Sequence, residues 1–256
     1  MISRIEAALR RGTPIRFGDV WRAGLGGLLG IAVTGALARM FMGGDALAEP
    51  LLVAPLGASA VLLFAVPASP LTQPRAVIGG SILSALVGVT CAMFVPEPLL
   101  AASLAVAVSI ALMSLLGCLH PPGGAVALTA VIGGASVTDL GYGFAFVPVG
   151  LGAVLLVASA VVFNTLVGRS YPHRVKPPAS PHATADPVPD ERIGYRPADL
   201  DKALAQYGEL LDVSREDLDA LFRQVELQTH KRIHSQILCG EIMSRDVITL
   251  DAHQSA

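Results

Sequence analysis

The sequence predicts an all-α polytopic membrane protein. We expect a helical bundle of two three-element repeats with short broken helices, the second repeat inverted, followed by a small soluble helical tail. Only 15% of the 256 residues are charged and the mean hydropathy is +0.61, whereas soluble domains carry about 25% charged residues. Four apolar stretches reach the length of about 20 residues that a spanning helix needs, and two shorter ones contain proline or glycine.

The apolar segments follow a basic leader, residues 1–19, which the positive-inside rule places in the cytoplasm. The run after it is too long for the core of a cleavable signal. Glycines and serines in the long segments indicate close helix packing. The long segments cover residues 20–42, 75–95, 98–116 and 143–168, and the short ones cover residues 50–66 and 121–133.

The two short segments resemble each other at an offset of 66 residues. Pro55-Leu-Gly-Ala-Ser-Ala-Val aligns with Pro121-Pro-Gly-Gly-Ala-Val-Ala, and each lies between two long segments. This pattern predicts repeats over residues 20–95 and 98–168. Chance similarity between common membrane residues is the alternative.

Loop charges favour six spans over four. With six, the basic leader, Arg75 and the cations after Gly168 lie inside, while Asp45, Glu97 and Asp139 lie outside. If the short segments are re-entrant, four spans remain and Arg75 moves outside. We therefore expect a multi-pass protein of the bacterial inner (plasma) membrane, with both termini cytoplasmic.

Three ordered motifs within residues 17–170 resemble the HPP family of membrane proteins. Residues 119–125, Leu-His-Pro-Pro-Gly-Gly-Ala, contain the triplet that names the family, although Gly124 stands where an alanine is common. The others are residues 55–64, Pro-Leu-Gly-Ala-Ser-Ala-Val-Leu-Leu-Phe, and residues 69–75, Ser-Pro-Leu-Thr-Gln-Pro-Arg. The resemblance implies an integral membrane module, usually described with four spans and often fused to CBS domains. Members in plastids and photosynthetic bacteria are associated with nitrite transport.

The residues themselves favour an anion as the solute. A helix that starts inside the membrane presents free N–H groups and a partial positive charge, and glycine lets a ligand approach the backbone. Two such starts near the bilayer midplane would form a small anion site. The candidate binding residues are Pro55, Gly57, Ala58, Ser59, His120, Pro121, Gly123 and Gly124. Structurally kinked helices without a ligand are the alternative.

His120 is the least expected residue at membrane depth, where it could donate to an anion or carry a proton. A structural histidine bonded to a carbonyl is the competing interpretation. Thr72, Gln73 and Arg75 are accessory candidates. Arginine also anchors to headgroups, and hydroxyl side chains often bond to their own helices.

The tail begins with a proline-rich linker over residues 171–196. The linker follows the transmembrane domain, residues 20–170, and precedes an amphipathic helical segment, residues 197–236. Two amphipathic helices follow in residues 197–236, the second opened by a capping box at Ser214. Residues 237–256 resemble the start of a CBS domain. Only about the first quarter of such a domain is present, so we expect a truncated module, with a natural stop as the alternative. The resemblance therefore implies no nucleotide-binding site within residues 237–256.

The leading hypothesis is a transporter or channel for a small inorganic anion, with nitrite the best single choice and nitrate the next. A membrane sensor or scaffold that positions the CBS module is the alternative. We expect no enzyme activity, no cofactor, no metal site and no nucleic-acid partner, because the required residue patterns are missing from the sequence. A homodimer is expected, since CBS modules commonly pair.

Overall fold

The computed structural model describes residues 17–42, 54–174, 196–209 and 211–234, and it contains no strand among them. The chain forms two compact units, Met1–Arg174 and Val175–Ala256. The predicted leader before residue 17, the linker over 175–195 and the CBS start lie outside the described residues. The helices of the first unit are α1 (Phe17–Met42), α2 (Ala54–Ala65), α3 (Arg75–Phe94), α4 (Pro98–Leu115), α5 (Pro122–Ile132), α6 (Ala135–Thr138) and α7 (Ala145–Leu166).

Four of these helices, α1, α3, α4 and α7, are long and apolar enough to cross a membrane. The predicted long segments are therefore confirmed. The short helices α2 and α5 have 12 and 11 residues. At a rise of 1.5 Å per residue they measure about 18 and 16 Å, roughly half of the hydrocarbon core.

Local capping explains where several elements begin. Glu97 accepts hydrogen bonds from the N–H groups of Leu99 and Leu100, and Pro98 occupies the first turn of α4, where a missing N–H costs nothing. Ser69 likewise accepts from the Leu71 N–H and opens a single 3₁₀ turn, Pro70–Thr72. That turn lies in the loop between α2 and α3.

The long helices α1 and α7 pack antiparallel. Asp19 bonds to Arg169 at 2.6 Å, at the end of the bundle that we call the Asp19 end. Deeper in the bundle, Gly26 of α1 approaches the ring of Phe163. The Phe64 ring of α2 lies so close to α1 that a Cβ on Gly26 would be 2.5 Å from it. The predicted packing role of the small residues in α1 therefore holds for Gly26 and Gly30, which both face the Phe64 ring, but not for Gly24 and Gly27, where a Cβ would meet nothing within 4 Å.

The directions of the short helices follow from their contacts. The Phe64 carbonyl, near the end of α2, accepts from Arg169 at 3.4 Å, so α2 ends at the Asp19 end. Helix α5 runs parallel to α3, because Gly80 abuts His120 whereas Gly88 abuts Ala127. The path thus alternates between the two ends of the bundle, as six spans require. Four of the described helices have the length of a span, so crossing of the bilayer by α2 and α5, and with it the choice of six spans over four, stays a prediction.

The second unit contains α8 (Pro197–Tyr207) and α9 (Arg215–His234). The Ser214 hydroxyl accepts from the Asp217 N–H at 3.0 Å, so the predicted cap is present. Arg215 donates to both carboxylate oxygens of Asp201, at 2.6 and 2.9 Å, and this bond holds the pKa of Asp201 below its usual range. The two helices are thereby joined.

Candidate functional site

His120 lies in the turn between α4 and α5 and is completely buried. Its Nδ1 is 2.9 Å from the Leu71 carbonyl oxygen, in the loop between α2 and α3. Its Nε2 is 2.8 Å from the Ser59 hydroxyl of α2. One imidazole therefore joins the three motif segments that the sequence singles out.

The partners of the ring fix where its protons lie. A carbonyl oxygen can only accept, so Nδ1 carries a proton whether the ring is neutral or charged. The Ser59 hydroxyl has two acceptors within reach, Nε2 at 2.8 Å and the Pro55 carbonyl at 3.2 Å. It donates to Nε2 when the ring is neutral. When the ring is charged, Nε2 donates to the hydroxyl, which then turns its own proton to Pro55. Both protonation states are satisfied without movement of heavy atoms.

The first turn of α5 offers fewer donors than the sequence suggests. Pro121 and Pro122 have no N–H, and the N–H groups of Gly123 and Gly124 donate to the carbonyls of His120 and Pro121 at 2.8 and 3.1 Å. The expectation of free N–H groups at this helix start is therefore wrong, because a tight turn uses those that proline leaves. The partial positive charge of the helix start persists, and a ligand here would bond to side chains.

The two short helices lie side by side at the site, where Ser59 of α2 contacts His120, two residues before the start of α5. The predicted site residues divide by exposure within this chain. Pro55, Ser59, His120 and Gly123 are buried, Gly124 is half-buried, and Gly57, Ala58 and Pro121 are exposed. The structure thus buries Pro55, Ser59 and Gly123 together with His120, whereas Gly57 and Ala58 face away from the core.

The accessory candidates maintain the loop between α2 and α3. The Thr72 hydroxyl donates to the Ser69 carbonyl at 2.6 Å, and the Gln73 amide donates to the same oxygen at 2.9 Å. Arg75 is exposed and donates to the Leu116 carbonyl at 2.6 Å, at the end of α4. None of these hydrogen bonds involves His120. Thr72 and Gln73 instead stabilise the loop that contains Leu71, and Arg75 stabilises the end of α4 that leads to His120.

Three residues that the sequence interpretation missed hold the same region. Tyr171 is buried just after α7, and its hydroxyl donates to the Thr72 carbonyl at 2.8 Å. Burial raises its pKa, which keeps the phenol protonated as a donor. The His173 N–H donates to the Gln73 side-chain oxygen at 2.9 Å. The Asn164 amide donates to the Leu63 carbonyl, near the end of α2, at 3.3 Å. An asparagine within the last apolar stretch and a tyrosine just after it were the available signals.

The described residues contain no group of three or more His, Cys, Asp or Glu side chains placed to hold a metal ion. The chemistry that the arrangement supports is hydrogen bonding and proton exchange at one buried ring.

Comparison with known proteins identifies this architecture. The transmembrane region of the HPP family matches residues 13–172, more than half of the chain. The chain belongs to the HPP family. Its His-Pro-Pro triplet is therefore the turn that carries the buried imidazole. No solved structure matches this HPP chain.

Two relatives are known as transmembrane proteins of Dictyostelium discoideum. One is 44% identical over 126 residues, which is 47% of this chain and 44% of the relative. The other is 38% identical over 126 residues, 47% of this chain and 40% of the relative. The aligned region thus spans less than half of each relative. The HPP chain is a multi-pass membrane protein with several apolar helices, which is consistent with a transporter or channel.

Proposed function

We propose that this HPP protein moves a small inorganic anion across the membrane, with nitrite the first candidate and nitrate the second. The observation that carries the proposal is the buried His120 ring, hydrogen-bonded to Ser59 of one short helix at the start of the other. An ionisable side chain inside a helical bundle is costly and typically marks an ion or proton pathway. The proposed inverted repeats would form the two halves around it.

The negative charge expected of the solute follows from the hydrogen-bond donors at the His120 site. When the ring is protonated, Nε2 and the Ser59 hydroxyl are both donors, and an anion would replace the Ser59 oxygen and the Pro55 carbonyl as their acceptors; the start of α5 contributes a partial positive charge. The nearest acceptors, the Leu71 and Pro55 carbonyls, are occupied by the ring and the hydroxyl. A small monovalent anion fits such a set better than a cation does.

The ring is closed off in this conformation, because His120 and Ser59 are 0% and 2% exposed. A solute reaches them only after the short helices separate from their neighbours. This requirement favours a carrier that alternates between states over an open pore.

The test is uptake of nitrite, and separately of nitrate, into liposomes that contain the purified full chain. We expect uptake above that of empty vesicles, measured above neutral pH so that little uncharged nitrous acid crosses the lipid. His120→Ala should reduce it to the background, since both hydrogen bonds of the ring are lost. Absence of uptake of either anion by the wild-type protein would refute the proposal.

His120→Asn is the matched control for a purely structural histidine. The asparagine amide can replace the Nδ1 donor to Leu71 but cannot take up a proton. If transport needs the ionisable ring, this variant folds and does not transport. If it transports normally, the ring acts only as a structural donor.

A second candidate is a membrane sensor whose bundle positions the tail. It is favoured by the hydrogen bonds of Tyr171 and His173, which tie the segment leading to the tail to the loop beside His120. A sensor would give no flux in the same liposomes. Ligand binding would instead alter the protease sensitivity of the tail.

A further inference from the structure

The segment after α7 is fastened to the loop between α2 and α3 by two hydrogen bonds. The Tyr171 hydroxyl donates to the Thr72 carbonyl at 2.8 Å, and the His173 N–H donates to the Gln73 side chain at 2.9 Å. Tyr171 is 5% exposed, so its hydroxyl has no ready access to water as a substitute partner. Losing Thr72 as its acceptor would leave a buried phenol unsatisfied.

The same loop provides the partner of the histidine ring. Leu71 and Thr72 are consecutive residues of the Pro70–Thr72 turn. The Leu71 carbonyl accepts from His120 and the Thr72 carbonyl accepts from Tyr171. Two side chains from distant parts of the chain therefore bond to adjacent carbonyl groups, and the orientation of one peptide constrains the other.

We propose that Tyr171 is a positioning residue for His120. By fixing the Pro70–Thr72 turn, Tyr171 keeps the Leu71 carbonyl on Nδ1 and leaves Nε2, which faces the Ser59 hydroxyl, as the nitrogen that can gain or lose a proton. Its importance for flux depends on the proposed function, whereas its effect on the ring can be measured without transport.

The experiment is nitrogen NMR of the full chain, labelled in its imidazole nitrogens, in lipid nanodiscs. The sequence contains six histidines, and the signals lost in His120→Asn assign the ring. In the wild type we expect one state with a protonated Nδ1. In Tyr171→Phe, which removes only the hydroxyl, we expect a mixture of both tautomers. An unchanged single state in Tyr171→Phe would overturn the proposal.

Tyr142→Phe is the matched control. The Tyr142 hydroxyl also makes one hydrogen bond, 3.1 Å from the Thr90 hydroxyl, at the other end of α3. Its removal should leave the His120 signals unchanged; if it shifts them as Tyr171→Phe does, the effect is not specific and the proposal fails. Should Tyr171→Phe not fold, Gln73→Leu removes the second fastening contact together with the amide bonds to the loop, and Gln73→Glu, which keeps only the acceptor for the His173 N–H, is its control; Gln73→Leu must produce the mixture and Gln73→Glu must not.

Flux measurements on the same variants separate this proposal from the proposed function. We expect Tyr171→Phe to transport about fivefold more slowly, the effect of one hydrogen bond, and Tyr142→Phe to transport normally. A tautomer mixture in a protein whose wild type shows no flux would sustain the positioning role and refute transport. Flux by the wild type, together with unchanged His120 signals in Tyr171→Phe, would support transport and refute the positioning role.

Discussion

The short helices α2 and α5 are similar in sequence and length, but they occupy different environments. Gly57 of α2 faces open space, and a Cβ there would meet nothing within 4 Å. Gly123, its counterpart in the aligned motif, is enclosed, since a Cβ would lie 2.7 Å from the Ser84 hydroxyl and 2.9 Å from the Met113 sulfur. Glycine thus leaves the backbone of α2 exposed at Gly57, whereas in α5 it allows close packing at Gly123.

The ends of the two helices differ as well. Helix α2 ends against α7, where Asn164 and Arg169 donate to the Leu63 and Phe64 carbonyls. Helix α5 ends at Gly133, whose N–H donates to the Thr129 carbonyl at 2.9 Å, and Gly134 follows with φ +78°. α2 is thus held by side chains of another helix, while α5 is held by its own backbone and close packing. A repeated motif therefore does not imply a symmetric site.

The largest difference between the helices should appear on enlarging the two glycines. Gly123→Leu forces Ser84 and Met113 apart and should destabilise the protein by about 1–3 kcal/mol or more. Gly57→Leu should be nearly neutral. Thermal unfolding in detergent measures both, and equal losses would contradict the difference in environment.

Removing the polar group of α2 should have the next largest effect. Ser59→Ala deprives a buried imidazole nitrogen of its partner, at a cost of about 1–2 kcal/mol. Ser103→Ala is the control, because Ser103, like Ser59, bonds to the carbonyl four residues earlier but is exposed. We expect no measurable loss there. If the two variants unfold at the same temperature, the Ser59–His120 bond has no energetic importance.

The cap of α2 can be tested against a hydroxyl of α5. Asn164→Leu leaves the Leu63 carbonyl unsatisfied and should cost about 1 kcal/mol, as is typical of hydrogen bonds between membrane helices. Thr129→Val removes a bond within α5 alone and should cost less. Chemical denaturation measures the loss of stability in each of the two variants. The reverse ranking would show that α2 does not depend on α7.

The smallest effect concerns the turn that leads into α5. Arg75→Gln removes the bond to the Leu116 carbonyl, but the side chain is exposed, so we expect a loss below about 1 kcal/mol. Arg39→Gln, at the end of α1, is the control for loss of an exposed arginine. A large loss of stability in Arg75→Gln alone would indicate that α5 is less self-contained than its packing suggests.

Hydrophobic length was sufficient to predict most of the fold. The long segments end within a few residues of their predicted limits, and the short segments predicted over 50–66 and 121–133 contain α2 (Ala54–Ala65) and α5 (Pro122–Ile132). Apolar runs of this length have few alternatives to helices in a bilayer, because every backbone group must find an internal partner. The inverted repeat remains a prediction.

The site could be predicted only in part. His120 and Ser59 were identifiable because polar residues are rare in apolar segments, and they do meet. The Leu71 carbonyl was not identifiable, since every residue has one and only the folded loop selects among them. Tyr171 was missed for a similar reason. Its importance lies in which carbonyl it reaches, and not in its position after a span.

The bond from His120 Nδ1 to Leu71 also determines which nitrogen can take up a proton. A neutral imidazole gains one proton in either tautomer, and here it gains it at Nε2, beside Ser59. An anion that travels with this proton carries no net charge, so its transport would be insensitive to membrane voltage. A bare monovalent anion gains or loses about 2.3 kcal/mol per 100 mV. Uptake measured at imposed potentials therefore reports whether the proposed anion crosses the membrane with that proton or alone.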